Sequence, residues 1–483
     1  MSFWLPMVST KYRFFILLLP LVLLLALGSS RAVAGLPHAL VQVLERHDVP
    51  QDAVSLWVQS PGASPSIAHR VDVPRNPAST MKLVTTLAAL DILGPSHRWE
   101  TRLYTFAPVE NGVLKGDLYV RGGGDPFLVT EEVWKLAGAL RRSGIERIEG
   151  DLIFDLSHYD VVPEDPGDFD GRPFRAYNQP PHALLMNFNA VRFEFRPGED
   201  GRSVRVTTDP PLSHLQLDNR LRLAAGPCEG YQRGVAYHVE NPGRVRLEGH
   251  FPQGCEEYSL LRTALGPEAY AHSLFTELWG QWGGTFEGDW RTGTLPNEAA
   301  EPRVVHQSPP LGELIRLINK YSNNVMARQL KLALGVAVYE GPATVDKGHA
   351  AIRAMLARNG VDTQGLELDN AAGLSRSNRM TARQLAQVLQ VGRNSPYMPE
   401  YLSSLAISGE DGTLRRRFVD APGAGDMRLK TGYLNGVSAV AGYMRTARGE
   451  ERMVVLMINH PGLQHWRGTR IQDGILDWLY ANG

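Results

Sequence analysis

Three short polar stretches, Ser79-Thr80-Met81-Lys82, Ser322-Asn323-Asn324 and Lys430-Thr431-Gly432, stand in that order along the chain. Roughly half of the 483 residues separate the first from the second. To serve one site, the chain has to bring a helix, a helix-to-helix break and a strand from distant parts of the sequence to one point, and few folds do that. A chain of this length carries about one Ser-x-x-Lys and about one Ser-x-Asn by chance. The order and the surroundings therefore carry the signal, not any single match.

The residue types fit one chemistry. A serine hydroxyl is a poor nucleophile until a neighbouring base takes its proton, and positions i and i+3 of a helix share a face, so Lys82 can reach Ser79. Asn76-Pro77 reads as a helix start, with Asn76 as N-cap and Pro77 in the first turn. Leu83, Val84, Leu87, Ala88, Ala89, Leu90, Ile92 and Leu93 follow, apolar almost all round, which predicts a buried helix. A lysine held there loses hydration and becomes a base nearer neutral pH; the alternative is a surface helix whose Lys82 snorkels to water.

Leu311, Leu314, Ile315 and Ile318 repeat at helical spacing before Ser322, and Val325, Leu330, Leu332 and Leu334 follow it. The polar break is either an ordinary helix-helix turn or a site in which Ser322 relays a proton to a leaving group and Asn324 bonds the substrate backbone, with Lys320 adding positive charge. Met427 to Thr431 reads as an edge strand broken at Gly432, followed by strands from Val437 to Tyr443 and from Met453 to Ile458 around a turn at Arg448-Gly449. Lys430 and Thr431 suit a substrate carboxylate, and Gly432 admits substrate close to the backbone. The plainer alternative is a solvated lysine guarding a sheet edge.

The motif set is that of the serine beta-lactamases and penicillin-binding proteins. Longer stretches sharpen the resemblance: Asn76 to Leu83, Gly116 to Val120 running into Gly122-Gly123-Gly124-Asp125-Pro126, Asp369-Asn370 with Gly373-Leu374-Ser375-Arg376, and Asp411-Gly412-Thr413-Leu414 with Arg415 to Arg417. Over nearly its whole mature length the chain resembles the D-alanyl-D-alanine carboxypeptidase/endopeptidases, the class C low-molecular-mass penicillin-binding proteins of type four. The resemblance implies an α+β catalytic domain of antiparallel sheet and helices with a long, mostly β insertion. It implies acyl transfer through Ser79, with Lys82 as base, Ser322 and Lys320 helping the leaving amine, and the N–H groups of Ser79 and Tyr433 as the oxyanion hole. Peptidoglycan peptides are the implied substrate and beta-lactams the implied covalent inhibitors. Asp160 is implied to project from the insert toward the site. Two positions depart from the family pattern: Tyr433 stands where a Ser or Thr is usual, and Ala371-Ala372 where Gly-Ser is usual. The alternatives are a beta-lactamase and a non-catalytic peptidoglycan-binding protein; the retention of Ser79, Lys82, Ser322, Asn324 and Lys430 speaks against the second.

Lys11 and Arg13 precede an apolar run from Phe14 to Leu27, and Ala32-Val33-Ala34 reads as a cleavage site, so residues 1–34 are expected to be a signal peptide of an exported, periplasmic or envelope protein. An uncleaved anchor is the alternative. Cleavage removes three basic residues and no acid, so the mature chain is more negative than the full chain's −1. That charge offers no basic patch to nucleic acid. Cys228 and Cys255, the only two cysteines, read as one disulfide in an exported chain, with two buried thiols as the alternative. The 14 histidines show no metal-ligand spacing, and no cofactor or metal is expected.

A hairpin is expected from Val54 to Gln59 and Ile67 to Val71 around Pro61-Gly62. Short strands with Gly, Pro and Asp turns then fill residues 95–261, the expected insertion of two subdomains, and a helix opening at Pro267 is read as the return to the catalytic domain, 35–94 with 262–483. Gly122-Gly123-Gly124-Asp125 lacks the phosphate-loop lysine and the following helix, and reads as a turn.

Overall fold

A computed structural model describes residues 35–229 and 234–483. The expected signal segment and its cleavage site lie outside the described residues.

The body that carries the three motifs is built from α1 (His38–Glu45), β1 (Val54–Gln59), β2 (Pro65–His69), α2 (Lys82–Leu93), α3 (Leu311–Tyr321), α4 (Asn324–Val338), α5 (Val345–Arg358), α6 (Ala382–Asn394), β3 (Ala406–Ile407), β4 (Met427–Leu434), β5 (Val437–Arg445), β6 (Glu451–Asn459) and α7 (His465–Asn482). Its six strands lie in the order β3-β4-β5-β6-β1-β2, and every neighbouring pair is antiparallel. Side chains alternate across a strand, and β6 shows both faces in use. Val454, Leu456 and Ile458 enter a core with Leu40 and Leu44 of α1 and Ile471 and Ile475 of α7. Met453, Val455 and Met457 enter the opposite core with Leu83, Leu87 and Leu90 of α2 and Leu385 of α6. Burial on both faces is why β6 is a continuous apolar run in the sequence, and why α2, packed in the middle of the second core, is apolar all round.

The expected hairpin is β1 and β2. The expected break at Gly432 is absent: β4 runs through it, with Thr431 opposite Val440 and Tyr433 opposite Ser438, and the chain turns only at Gly436, where φ is 79°. Glycine weakened the strand pattern without ending it. Nor is β4 the outermost strand. The short β3 covers Leu429 and Arg428 and stops there, which leaves the edge open from Lys430 onward.

The chain leaves this body along Glu100–Thr105 and returns along Val304–Gln307, which pair antiparallel in one five-stranded sheet. Helices Thr130–Arg142 and Pro267–Gln281 share a second core with that sheet: Leu136, Leu140, Leu274, Phe275 and Trp279 meet Leu103, Val120 and Phe154. The helix opening at Pro267, read from the sequence as the return to the catalytic domain, packs instead with the insert. We accordingly place the second boundary after Gln307, not at 262. A four-stranded sheet of two-residue strands and two three-stranded sheets complete the insert among the described residues and draw on the same core. Cys228 and Cys255 are bridged there, with Cα atoms 4.6 Å apart.

Candidate active site

The first motif folds as a 3-10 turn, Ala78–Met81, running into α2. Asn76 does not cap α2 itself. Its Oδ1 accepts the Ala78 N–H at 2.9 Å, its Nδ2 donates to the Ser375 carbonyl, and its own N–H donates to Asn459 Oδ1 on β6. The nucleophile turn is thereby tied to the sheet and to the 369–377 loop. Ala78 takes a left-handed φ of 44°, a costly state for a residue with a side chain, and one that surrounding contacts must enforce. Two glycines press against the same point. A Cβ on Gly373 would fall 1.9 Å from the Ala78 carbonyl oxygen, and one on Gly432 would fall 2.8 Å from the Ser79 nitrogen. Only glycine lets both segments close on Ser79.

Lys82 is fully buried. Its Nζ donates to Ser79 Oγ at 3.2 Å, to Asn324 Oδ1 at 2.6 Å and to the Ala372 carbonyl at 2.5 Å. Burial, and secondarily the charge of Lys430, push its pKa well below the ordinary lysine value, because an ammonium in a dry site loses its hydration. A neutral Lys82 can take the Ser79 proton. The loss of the polar Gly-Ser pair matters little here, since the Ala371 and Ala372 backbone carbonyls, not side chains, receive Thr85 and Lys82.

Ser322 sits between α3 and α4 in the left-handed region, φ 60° and ψ 40°, and Asn323 caps α4 by accepting the Met326 N–H. This abrupt turn brings Ser322 to Lys430 and Asn324 to Lys82. Asn324 spends its oxygen on Lys82, and no bond among the described residues uses its amide nitrogen, which leaves that donor for a substrate carbonyl. From β4, the Lys430 Nζ donates to Ser322 Oγ at 3.0 Å and to the Thr431 carbonyl at 2.8 Å. Lys430 is fully buried, and burial lowers its pKa to about 7. It is not a solvated edge lysine. Thr431 Oγ1, at the exposed edge beyond it, donates to Thr413 Oγ1 at 2.8 Å. Two hydroxyls backed by a buried cation suit a carboxylate. Thr413 was not foreseen as a site residue, although Asp411-Gly412-Thr413-Leu414 was noticed as a motif.

Two expected site residues lie elsewhere. Lys320 turns away: its Nζ bonds Asp411 Oδ2 at 2.5 Å and the Leu405 carbonyl at 2.9 Å. With its charge met by Asp411, it braces the segment that carries Thr413. Asp160 is exposed, and its N–H donates to the Ala343 carbonyl. Ala343 lies beyond the C-terminal end of α4, a 15-residue helix of about 20 Å whose first residue is Asn324. From the insert, Glu164, Asp165 and Asp168 line a cavity of about 400 Å³ with Phe169, Asn370, Ser375 and Arg376, beside the loop that closes on the Ser79 turn. Phe169 packs on Ala78, Leu374 and Leu434, under the Arg376 guanidinium at 5.4 Å. Tyr433 is half-buried; its ring meets His465 edge-on at 4.4 Å, and its hydroxyl reaches Asn435. Among the described residues no group of three or more His, Cys, Asp or Glu could hold a metal ion.

A profile of the D-Ala-D-Ala carboxypeptidase 3 (S13) family matches residues 36–481. The D-alanyl-D-alanine carboxypeptidase of Actinomadura sp. (strain R39) is 30% identical over 407 residues, 80% of this chain and 74% of that protein. The D-alanyl-D-alanine carboxypeptidase DacB of Haemophilus influenzae is 28% identical over 387 residues, 79% of this chain and 80% of that one. A crystal structure of penicillin binding protein 4 (dacB) from Haemophilus influenzae superposes with a TM-score of 0.76 at 23% identity, covering 92% of this chain and 99% of the other. The α+β fold expected from the motifs is the fold found.

Proposed function

The chain belongs to the D-Ala-D-Ala carboxypeptidase 3 (S13) family, and from that membership we propose that it is a serine D-Ala-D-Ala carboxypeptidase/endopeptidase that cleaves peptidoglycan peptides through a Ser79 acyl-enzyme. One observation carries the assignment of roles. The buried Lys82 joins Ser79 to Asn324, so that base, nucleophile and substrate-binding amide form one unit.

The steps follow from the geometry. Neutral Lys82 takes the Ser79 proton as Oγ attacks the carbonyl between two D-alanine residues. The N–H groups of Ser79 and Tyr433 receive the oxyanion, a preorganised arrangement whose donors are worth about 3 kcal/mol each. The close approach of Gly432 to the Ser79 nitrogen supports this pairing. Lys430, protonated by the incoming carboxylate's influence, passes a proton through Ser322 to the departing amine, a role the sequence had lent to Lys320. Thr431 and Thr413 hold the terminal carboxylate. The proton held by Lys82 passes to Lys430, which restores both lysines; Lys82 then takes a proton from water as the water oxygen attacks the ester, and returns it to Ser79 Oγ as the ester bond breaks and the peptide leaves. A beta-lactam presents a carbonyl and a carboxylate in the same relation and is the expected covalent inhibitor. Residues 1–34, read as a signal peptide, support an envelope location outside the cytoplasm. Among the described residues no helix is long and apolar enough to cross a membrane.

The test uses the mature protein with fluorescent penicillin and with purified muropeptides. A long-lived adduct together with D-alanine release supports the proposal. Rapid adduct turnover with inert muropeptides replaces it with a beta-lactamase.

A further inference from the structure

A patch beyond the far end of β4 is not used by this mechanism. Trp466, in the first turn of α7, is 53% exposed. Its indole N–H is fixed on Gln464 Oε1 at 2.5 Å, and the Arg467 and Arg470 guanidinium groups lie 5.6 and 5.9 Å from its ring centre. Arg46 adds a third cation. Arg46, Arg467 and Arg470 surround His47 and, after burial, help hold its imidazole below the usual range, with only the exposed Asp48 opposing them. Among the described residues none of these three arginines forms an ion pair. An exposed tryptophan among unpaired cations, on a chain of negative net charge, is a recognition feature more than a solvated surface.

The patch is continuous with the site. His465, beside Trp466, packs on Tyr433, and Arg376 Nη1 donates to the Asn435 carbonyl at 2.7 Å. Direction then decides what arrives there. With the terminal carboxylate at Lys430 and Thr431, a substrate extended beside β4 runs its upstream end toward Tyr433 and Asn435. From 430 to 435 at about 3.3 Å per residue is roughly 17 Å, the length of a stem peptide of about five residues. The sugar that bears the stem therefore reaches the level of Trp466.

We infer that Trp466, Arg467 and Arg470 form a sugar-proximal subsite, in which the indole takes the apolar face of the amino sugar and the guanidinium groups take the carboxylates of the upstream stem. This rests on the proposed placement of the substrate carboxylate at Lys430 and Thr431.

The experiment compares kcat/KM for D-alanine release from a disaccharide pentapeptide and from the same pentapeptide without sugars, in wild type, Trp466→Ala, Trp466→Phe and Arg467→Gln/Arg470→Gln. Wild type should favour the sugar-bearing substrate by about five- to tenfold, the ratio expected of one stacked ring with charge assistance. The ratio should fall toward one in Trp466→Ala and in the double arginine variant, and persist in Trp466→Phe, at unchanged melting temperature. A ratio that Trp466→Ala leaves intact overturns the inference. So does loss of binding to anionic phospholipid vesicles in Trp466→Ala with the ratio intact, which would assign the patch to a lipid surface. If wild type releases D-alanine from neither substrate, the functional reading fails first and this inference falls with it.

Discussion

Lys430 and Ser322, 108 positions apart in sequence, meet with the ammonium 3.0 Å from the hydroxyl. In the proposed mechanism the contact joins the strand that would receive the substrate carboxylate to the hydroxyl that would face the leaving amine. Because Lys430 is fully buried and its pKa is lowered to about 7, it is poised to change charge during turnover rather than to serve as a fixed cation.

Lys430→Ala should slow acylation by both D-Ala-D-Ala peptides and penicillin by about 10- to 100-fold, the worth of a charge-assisted hydrogen bond. In the free enzyme Lys430 carries its proton below pH 7 and loses it above, so kcat/KM for carboxylate-bearing ligands should decline as pH rises through about 7. Neutral Lys82 is needed at the same time, which limits the rate on the acid side. Stability moves the other way. The folded pKa is depressed from 10.5 to about 7, so between those values the unfolded chain binds a proton that the native state has released, and stability rises with pH. Stopped-flow acylation across pH and melting curves of Lys430→Met, whose rise with pH should be flatter, check both statements. An acylation rate unchanged in Lys430→Ala would remove it from the mechanism.

Ser79→Ala should abolish covalent penicillin labelling while the protein stays folded, since it deletes one hydroxyl from a partly buried position whose backbone contacts remain. Labelling at the wild-type level, read on a gel beside a matched melting curve, would sink the nucleophile assignment.

Much of this site was legible because its residues are set by local rules. The Ser79-to-Lys82 spacing places both on one helical face, and the left-handed Ser322 falls where the helical repeats of α3 and α4 break. What sequence could not show is the partner across space. Lys320 sits two residues before Ser322, and periodicity cannot tell that its long side chain ends on Asp411. The apolar face of Pro267–Gln281 announces a helix, but a face does not say which core it enters. That choice was made by pairing between Glu100–Thr105 and Val304–Gln307, strands about 200 residues apart. Gly432 looked like a break because glycine weakens strands in general, whereas here it is demanded by Ser79.

Gly432→Ala tests that demand. The added Cβ would lie 2.8 Å from the Ser79 nitrogen and 3.0 Å from the Pro77 oxygen, both backbone atoms, so the strand or the nucleophile turn must shift. A shift of a few tenths of an ångström separates the two oxyanion donors and should lower the acylation rate by about 10²-fold or more. Acylation within about threefold of wild type would mean that β4 does not form the oxyanion hole.

The Cys228–Cys255 bridge closes a loop across 27 positions, and by chain entropy it should contribute about 3–4 kcal/mol. Cys228→Ser/Cys255→Ser should lower the melting temperature of the insert. Non-reducing peptide maps of the wild type should show the linked pair, and two free thiols there would refute the bridge.

Lys320 gives the sharpest contrast between bracing and catalysis. Its side chain is 6% exposed and that of Asp411 33%. Asp411 also accepts the Ile407 N–H at 2.9 Å, so the pair fastens β3 and the turn that carries Thr413. Removing the cation leaves Asp411 unpaired but still partly hydrated, which keeps the cost near 1–2 kcal/mol, below that of a fully buried pair. Lys320→Met should therefore lower the melting temperature and, by loosening Thr413 beside Thr431, raise KM for D-Ala-D-Ala peptides several-fold. It should leave the pH dependence of kcat in place, because in the proposed mechanism the leaving-group proton comes through Lys430 and Ser322. A proton donor behaves differently: its loss would cut kcat by about 10²-fold or more and abolish one limb of the pH profile. If Lys320→Met does that without a change in melting temperature, Lys320 is the donor and the Lys430–Ser322 relay is wrong.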